Sequence, residues 1–156
     1  MTVLDQLKQW IADFLRETDY ELITLEMSAE NDILVEVDRL EGVDVDFCER
    51  LNRFLVEKME NEAYNMENYS LEVGSVSLTD PFRTKMQYLK NLGHDVEVLV
   101  DGKKVHGQLI SVDEDTFSVD VEERVAVEGK KRKELQVHTY TWRYDEPKYV
   151  RYDLKF

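Results

Sequence analysis

Val96-Glu97-Val98-Leu99-Val100-Asp101-Gly102-Lys103-Lys104-Val105-His106-Gly107-Gln108-Leu109 is the stretch on which the fold turns. Val96, Val98 and Val100 recur with a period of two, and so do Val105, Gly107 and Leu109. Such alternation makes a strand with one buried face. Asp101-Gly102 lies between the runs and has the composition of a two-residue hairpin turn. Towards the C-terminus, Asp113-Glu114-Asp115 turns the chain again, and Phe117, Val119 and Val121 alternate in a third strand. Gly129-Lys130-Lys131-Arg132-Lys133 reads as a hairpin tip, followed by Leu135, Val137 and the run Tyr140 to Tyr144. Tyr149 to Leu154 supplies a closing strand. Five short strands in about 60 residues predict a small barrel of the SH3 or Sm type.

Towards the N-terminus the periodicities are mixed. Arg83 to Leu92 predicts a short helix, and Asp80-Pro81 before it marks a boundary, because proline biases its predecessor away from helix. Residues 3–18 predict an amphipathic helix with Leu4, Leu7, Ile11 and Leu15 on one stripe. Residues 20–28 and the alternating run Ile33, Val35, Val37 predict two strands joined by the polar turn Ser28 to Asp32, hence an antiparallel hairpin. Asp44 is placed as a helix cap, ahead of the helical spacing of Phe47, Leu51, Phe54 and Leu55 as far as Met59. Residues 61–68 read as a loop, and Tyr69, Leu71 and Val73 as a third strand. The whole is expected to be α+β. An α-β-β-α-β domain over residues 1–81 precedes an SH3/Sm-like β-barrel over residues 82–156, with two helices covering one face of a three-stranded sheet in the first.

The chain has 156 residues and a net charge of −14. Residues 1–81 hold 20 Asp and Glu against 6 Lys and Arg, whereas residues 82–156 hold 14 of each. The whole excess therefore lies in the first half. Nucleic-acid affinity rests mainly on cationic contacts to phosphates, so this half repels RNA and attracts basic protein. The plain alternative is a charge that keeps the domain soluble. No apolar run is long enough to span a bilayer, and the N-terminus lacks the basic start and apolar stretch of a secretory signal. The single cysteine, Cys48, excludes an intrachain disulfide and points to a reducing compartment.

Little in the sequence points to catalysis. There is no Gly-rich phosphate loop, no His-Glu-x-x-His and no Gly-x-Ser-x-Gly. His94, His106 and His138 are scattered and make no zinc spacing with one cysteine, so neither metal nor cofactor is expected. Cys48 reads as a small buried hydrophobe. The acidic residues Asp44, Asp46 and Glu49, in the first turns of the second helix, are the candidate protein-docking site. Lys130, Lys131, Arg132 and Lys133 are the candidate RNA contacts, four cations on one tip, although Glu122, Glu123, Glu128 and Glu134 offset their field. Tyr140, Trp142, Tyr144, Tyr149 and Tyr152 could stack bases, but at strand spacing they suit core on one face and partial cover on the other.

Leu71-Glu72-Val73-Gly74-Ser75-Val76-Ser77-Leu78-Thr79-Asp80-Pro81-Phe82 resembles the signature of the bacterial ribosome maturation factor RimP family, Leu-Glu-Val-Ser-Ser-Pro-Gly-Leu-Asp-Arg-Pro-Leu. Leu71, Glu72, Val73, Ser75, Leu78 and Pro81 are identical to it, and Phe82 replaces a leucine conservatively. Val45 to Leu51 resembles the family's helix-opening segment, and Leu92 to Val98 with Gly107-Gln108-Leu109 matches its Gly-x-x-Val-x-Val and Gly-x-Leu elements. The likeness covers essentially the whole chain. Two departures stand out. Val76-Ser77 replaces the family's Pro-Gly, so a turn that needs glycine there is not expected. Asp80 replaces a basic residue, so a cationic contact at that point is lost or reversed.

The resemblance implies a soluble, cytoplasmic, non-enzymatic assembly factor. It would bind the immature small ribosomal subunit and assist incorporation of the basic ribosomal protein near the decoding centre. rRNA is a further candidate partner; no cofactor and no membrane are implied. Two other readings compete with it. One is an Sm- or SH3-like RNA-binding module with an accessory acidic domain, and the other is a hydrolase using clustered carboxylates.

Overall fold

The structure, a computed structural model, describes residues 2–129 and 131–154. It divides into two compact units, Met1–Ser77 and Leu78–Phe156. The first opens with helix α1, Val3–Leu15, whose Thr2 side chain accepts from the Asp5 amide while Asp5 accepts from the Thr2 amide. This reciprocal pairing satisfies amides that a helix start leaves orphaned. The helix ends at Leu15, three residues short of the sequence expectation. Thr18 turns the chain there, its amide and its hydroxyl both bonding the Leu15 carbonyl at 2.9 and 2.8 Å.

Strands β1, Glu21–Met27, and β2, Asp32–Asp38, form the antiparallel hairpin. In its turn, Ser28 Oγ accepts from the amides of Glu30 and Asp32. Helix α2, Val45–Asn61, then carries the chain over the sheet, and β3, Ser70–Ser75, pairs parallel with β2. A parallel partner needs such a crossover. The sheet order is β1-β2-β3. Leu7 and Ile11 of α1, Leu51 and Leu55 of α2, and Val35 and Val37 of β2 are all fully buried in one core. Neither Val76 nor Ser77 has a positive φ, so the segment after β3 does without the family's glycine.

The second unit begins with the short helix α3, Lys85–Lys90, shorter than the expected Arg83 to Leu92. Its remaining elements are β4 (Asp95–Val100), β5 (Lys103–Val112), β6 (Thr116–Val125), β7 (Glu134–Arg143) and β8 (Tyr149–Tyr152). They form one five-stranded antiparallel sheet in the order β7-β6-β5-β4-β8. Asp101 and Gly102 adopt φ of 52° and 75°, the conformation a primed hairpin turn demands. Val96, Val98, Leu109, Phe117 and Val119 are fully buried. The aromatic residues divide between core and cover. Trp142 is buried, Tyr144 packs on Phe117 at 5.6 Å, and the more exposed Tyr140 stacks on Trp142 at 5.5 Å.

Candidate functional site

Asp44, Asp46 and Glu49 are all exposed at the start of α2. Asp44 extends just before the helix and accepts from the Asp46 amide at 3.0 Å, so it acts as the cap. Its own amide donates to the Tyr20 hydroxyl at 2.9 Å, and the Tyr20 ring stacks on Phe47 at 3.7 Å. The acidic helix start is thus anchored to the buried aromatic pair beneath it. Cys48 lies buried on the inner side of the same turns, where desolvation, with a further push from Asp44, raises its thiol above the usual range. A raised thiol is a poor nucleophile at neutral pH.

The structure adds a second acidic surface that the sequence reading did not single out. Both helices share one core with Ile33, Val35 and Val37 on one face of the sheet. The opposite face carries the residues that alternate with them. Register places Glu21 opposite Asp38, Glu26 opposite Leu34, and Thr24 opposite Glu36. Across to β3, Leu34 faces Glu72, Glu36 faces Gly74 and Asp32 faces Ser70. None of these positions holds a lysine or arginine. Glu21, Glu26, Asp32 and Glu72 are exposed, Glu36 is half-buried and Asp38 is buried. The alternation of Asp32, Glu36 and Asp38 with three apolar residues was the available signal. What it lacked was the identity of the neighbouring strands.

In the second unit Lys131, Arg132 and Lys133 are exposed between β6 and β7. Lys130, the first cation of this run, lies outside the described residues. Carboxylates share the neighbourhood: Glu123 accepts from the Tyr140 hydroxyl at 2.6 Å and lies 3.7 Å from His138 Nε2. The three histidines are held apart in separate settings. His94 lies near the Tyr152 ring, His106 against Asp153 at 3.1 Å, and His138 beside Glu123. Among the described residues, no group of three or more His, Cys, Asp and Glu could hold a metal ion. No described helix is long and apolar enough to cross a membrane.

Glu97 on β4 ties the sheet edge together. It accepts from the Tyr149 hydroxyl at 2.7 Å and from Arg151 Nε at 2.8 Å, both on β8. The Tyr149 hydrogen bond, followed by the Arg151 contacts, outweighs desolvation and holds the carboxyl below its ordinary range. A depressed folded value means the stabilisation is complete above the unfolded glutamate value, about 4.3, and is lost as pH falls through the lower folded one. Glu97→Gln should therefore flatten the acid limb of the second unit's stability curve. At neutral pH it should cost about 1–2 kcal/mol, discounted because Arg151 is partly exposed. Urea midpoints measured from pH 3 to 7 check this, and identical acid limbs in the two proteins would refute it.

An acidic three-stranded unit with helices on one face, followed by a five-stranded antiparallel unit, defines a two-part α+β protein whose surface chemistry is mainly charge. The model of the RimP N-terminal domain matches residues 10–78. Proteins named ribosome maturation factor RimP from two strains of Porphyromonas gingivalis are 31% identical over 138 residues, covering 88% of this chain and 89% of theirs. Another of that name, from Christiangramia forsetii, is 31% identical over 98 residues, 63% of this chain and 62% of its own. The chain belongs to the RimP family of ribosome maturation factors.

Proposed function

We propose that this protein is a non-enzymatic factor in assembly of the small ribosomal subunit, acting in the cytoplasm. Its first domain, residues 1–81, recruits the basic ribosomal protein near the decoding centre, and its second, residues 82–156, approaches the immature subunit. The observation that carries the reading is the concentration of the −14 charge in the first half. There it includes exposed carboxylates at the start of α2 and on the sheet face opposite the helices. Such a field speeds encounter with a cationic protein and opposes a polyanion. The relatives named ribosome maturation factor supply the biological setting. The second sheet is read as an SH3/Sm-like barrel, because its order places the last strand beside β4, the first of the set. Lys130, Lys131, Arg132 and Lys133 are its proposed rRNA contacts.

Reversal of Asp44, Asp46 and Glu49 to lysine should slow association with the purified basic ribosomal protein about tenfold at low salt, and less at high salt. The same change removes the Asp44 cap and opposes the helix dipole, so the folded state is verified first by circular dichroism. An unchanged association rate in the folded variant would remove this face as the docking site. Alanine at the four cations should reduce the salt slope of binding to immature subunits by about 3. RNA binding confined to residues 82–156, with no protein bound by residues 1–81, would favour the RNA-module reading.

A further inference from the structure

The outer edge of β3 has no strand beside it among the described residues. The Ser70 amide bonds the Asn31 carbonyl, towards β2. Backbone direction alternates along an extended strand, so Ser70, Glu72 and Gly74 aim their amides and carbonyls at β2, whereas Leu71 and Val73 aim theirs outward. The long 3.4 Å bond from Asn52 Nδ2 to the Leu71 carbonyl fits this direction. Above this edge runs a groove of about 300 Å³, lined by Val45, Cys48, Glu49, Asn52 and Arg53 of α2 together with Val73. Val45 is 71% exposed, a large apolar side chain left in water at the groove's end.

These features specify an occupant. A strand added along β3 would continue both faces of the sheet. On the helix side its side chains would enter the groove of Val45, Cys48 and Val73, whose Glu49 and Arg53 charges offset each other and leave its apolar lining to select the occupant. On the opposite side they would lie next to Glu72, with Glu36, Asp32 and Glu26 beyond it and no cation in the set. A second copy of the chain is disfavoured, since β3 against β3 would bring two such carboxylate rows together.

We propose that β3 accepts an extended segment of a basic protein as a fourth strand, its apolar side chains under α2 and its alternate lysines or arginines over the carboxylate face. Main-chain bonds then give affinity and the alternation gives specificity. The proposal rests on the reading that the first domain binds a basic protein, and names where and how it does so.

The probe is a short peptide alternating valine and lysine, titrated into the full chain and followed by amide NMR. The expected result is slowed hydrogen exchange at Leu71 and Val73. A peptide of the same composition with valines and lysines in separate blocks should bind about tenfold more weakly, as should one N-methylated on the amides facing β3. Val73→Pro removes one outward amide and leaves the β2 ladder its bonds, so it too should weaken binding about tenfold. The methylated probe tests the same bond with the protein unaltered, should that variant fold poorly. Equal binding of alternating and block peptides, with no protection at Leu71 and Val73, would overturn the proposal in favour of simple charge attraction. If the basic ribosomal protein binds and neither the peptide nor Val73→Pro affects it, the β3 site falls and recruitment stands. If the peptide is held at β3 and the ribosomal protein does not bind, recruitment falls and the strand-addition site stands.

Discussion

Gly107→Ala should cost the second unit about 3 kcal/mol of stability, a large share of its total. Gly107 sits in β5 between β4 and β6, with Val96 as its partner on β4. A Cβ there would stand 2.4 Å from the Asp120 carbonyl oxygen and 2.7 Å from Val119 Cγ1. The backbone angle at Gly107 is ordinary, so the demand for glycine comes from crowding and not from φ. A methyl side chain could turn away, but a carbonyl held in a strand cannot move without parting β5 from β6. Overpacking of a well-filled core costs about 1–3 kcal/mol and sometimes more, and a backbone obstacle puts this case at the upper end. A unit of this size has a total stability of only about 4–12 kcal/mol. Urea denaturation followed by NMR signals of Phe117 and Val119 measures the loss. A midpoint equal to that of the wild type would show that the sheet yields where the geometry says it cannot.

The matching variant in the first unit is Leu51→Ala. Leu51 is fully buried in the core that also holds Leu7, Ile11 and Val35. Truncation leaves a cavity among rigidly placed neighbours and should cost about 2–5 kcal/mol. The functional consequence differs from that of Gly107→Ala. With the first unit destabilised, the proposed docking carboxylates of α2 lose their anchorage, so the proposed affinity for the basic ribosomal protein should fall in step with the unfolded fraction. Gly107→Ala should preserve that affinity and weaken binding to immature subunits. Titration of both partners against both variants, near the midpoint of each, measures this separation. Loss of the ribosomal protein in Gly107→Ala, with retention in Leu51→Ala, would reverse the assignment of partners to units.

Local features came directly from residue order. Asp101-Gly102 turns the hairpin because glycine readily takes a positive φ and aspartate tolerates it, and Asp44 caps α2 because its short carboxylate reaches a free amide. The alternation of Ile33, Val35 and Val37 gave β2 its buried face. The helical stripe of α1 was equally legible, yet its end was not, since Thr18 takes the Leu15 carbonyl where periodicity alone would let the helix run on.

Pairing between distant strands is another matter. Leu71 and Val73 read as a strand, but nothing in their order says that β3 lies parallel to β2 at the sheet edge, beside a groove lined by α2. The charge total of the first half was countable from residues alone. Its gathering onto one face of the sheet was not, because Glu26, Glu36 and Glu72 become neighbours only through the registers of two separate strand pairs. Gly107 shows the same division. Its alternation marked a strand position, while the carbonyl of Asp120 that forbids any side chain there belongs to a different strand. Period, caps and turns depend on interactions within a few residues, so sequence alone determined them. Neighbouring strands, crowding and the shape of the acidic surface depend on contacts between segments far apart in the chain, and only the tertiary structure decided them.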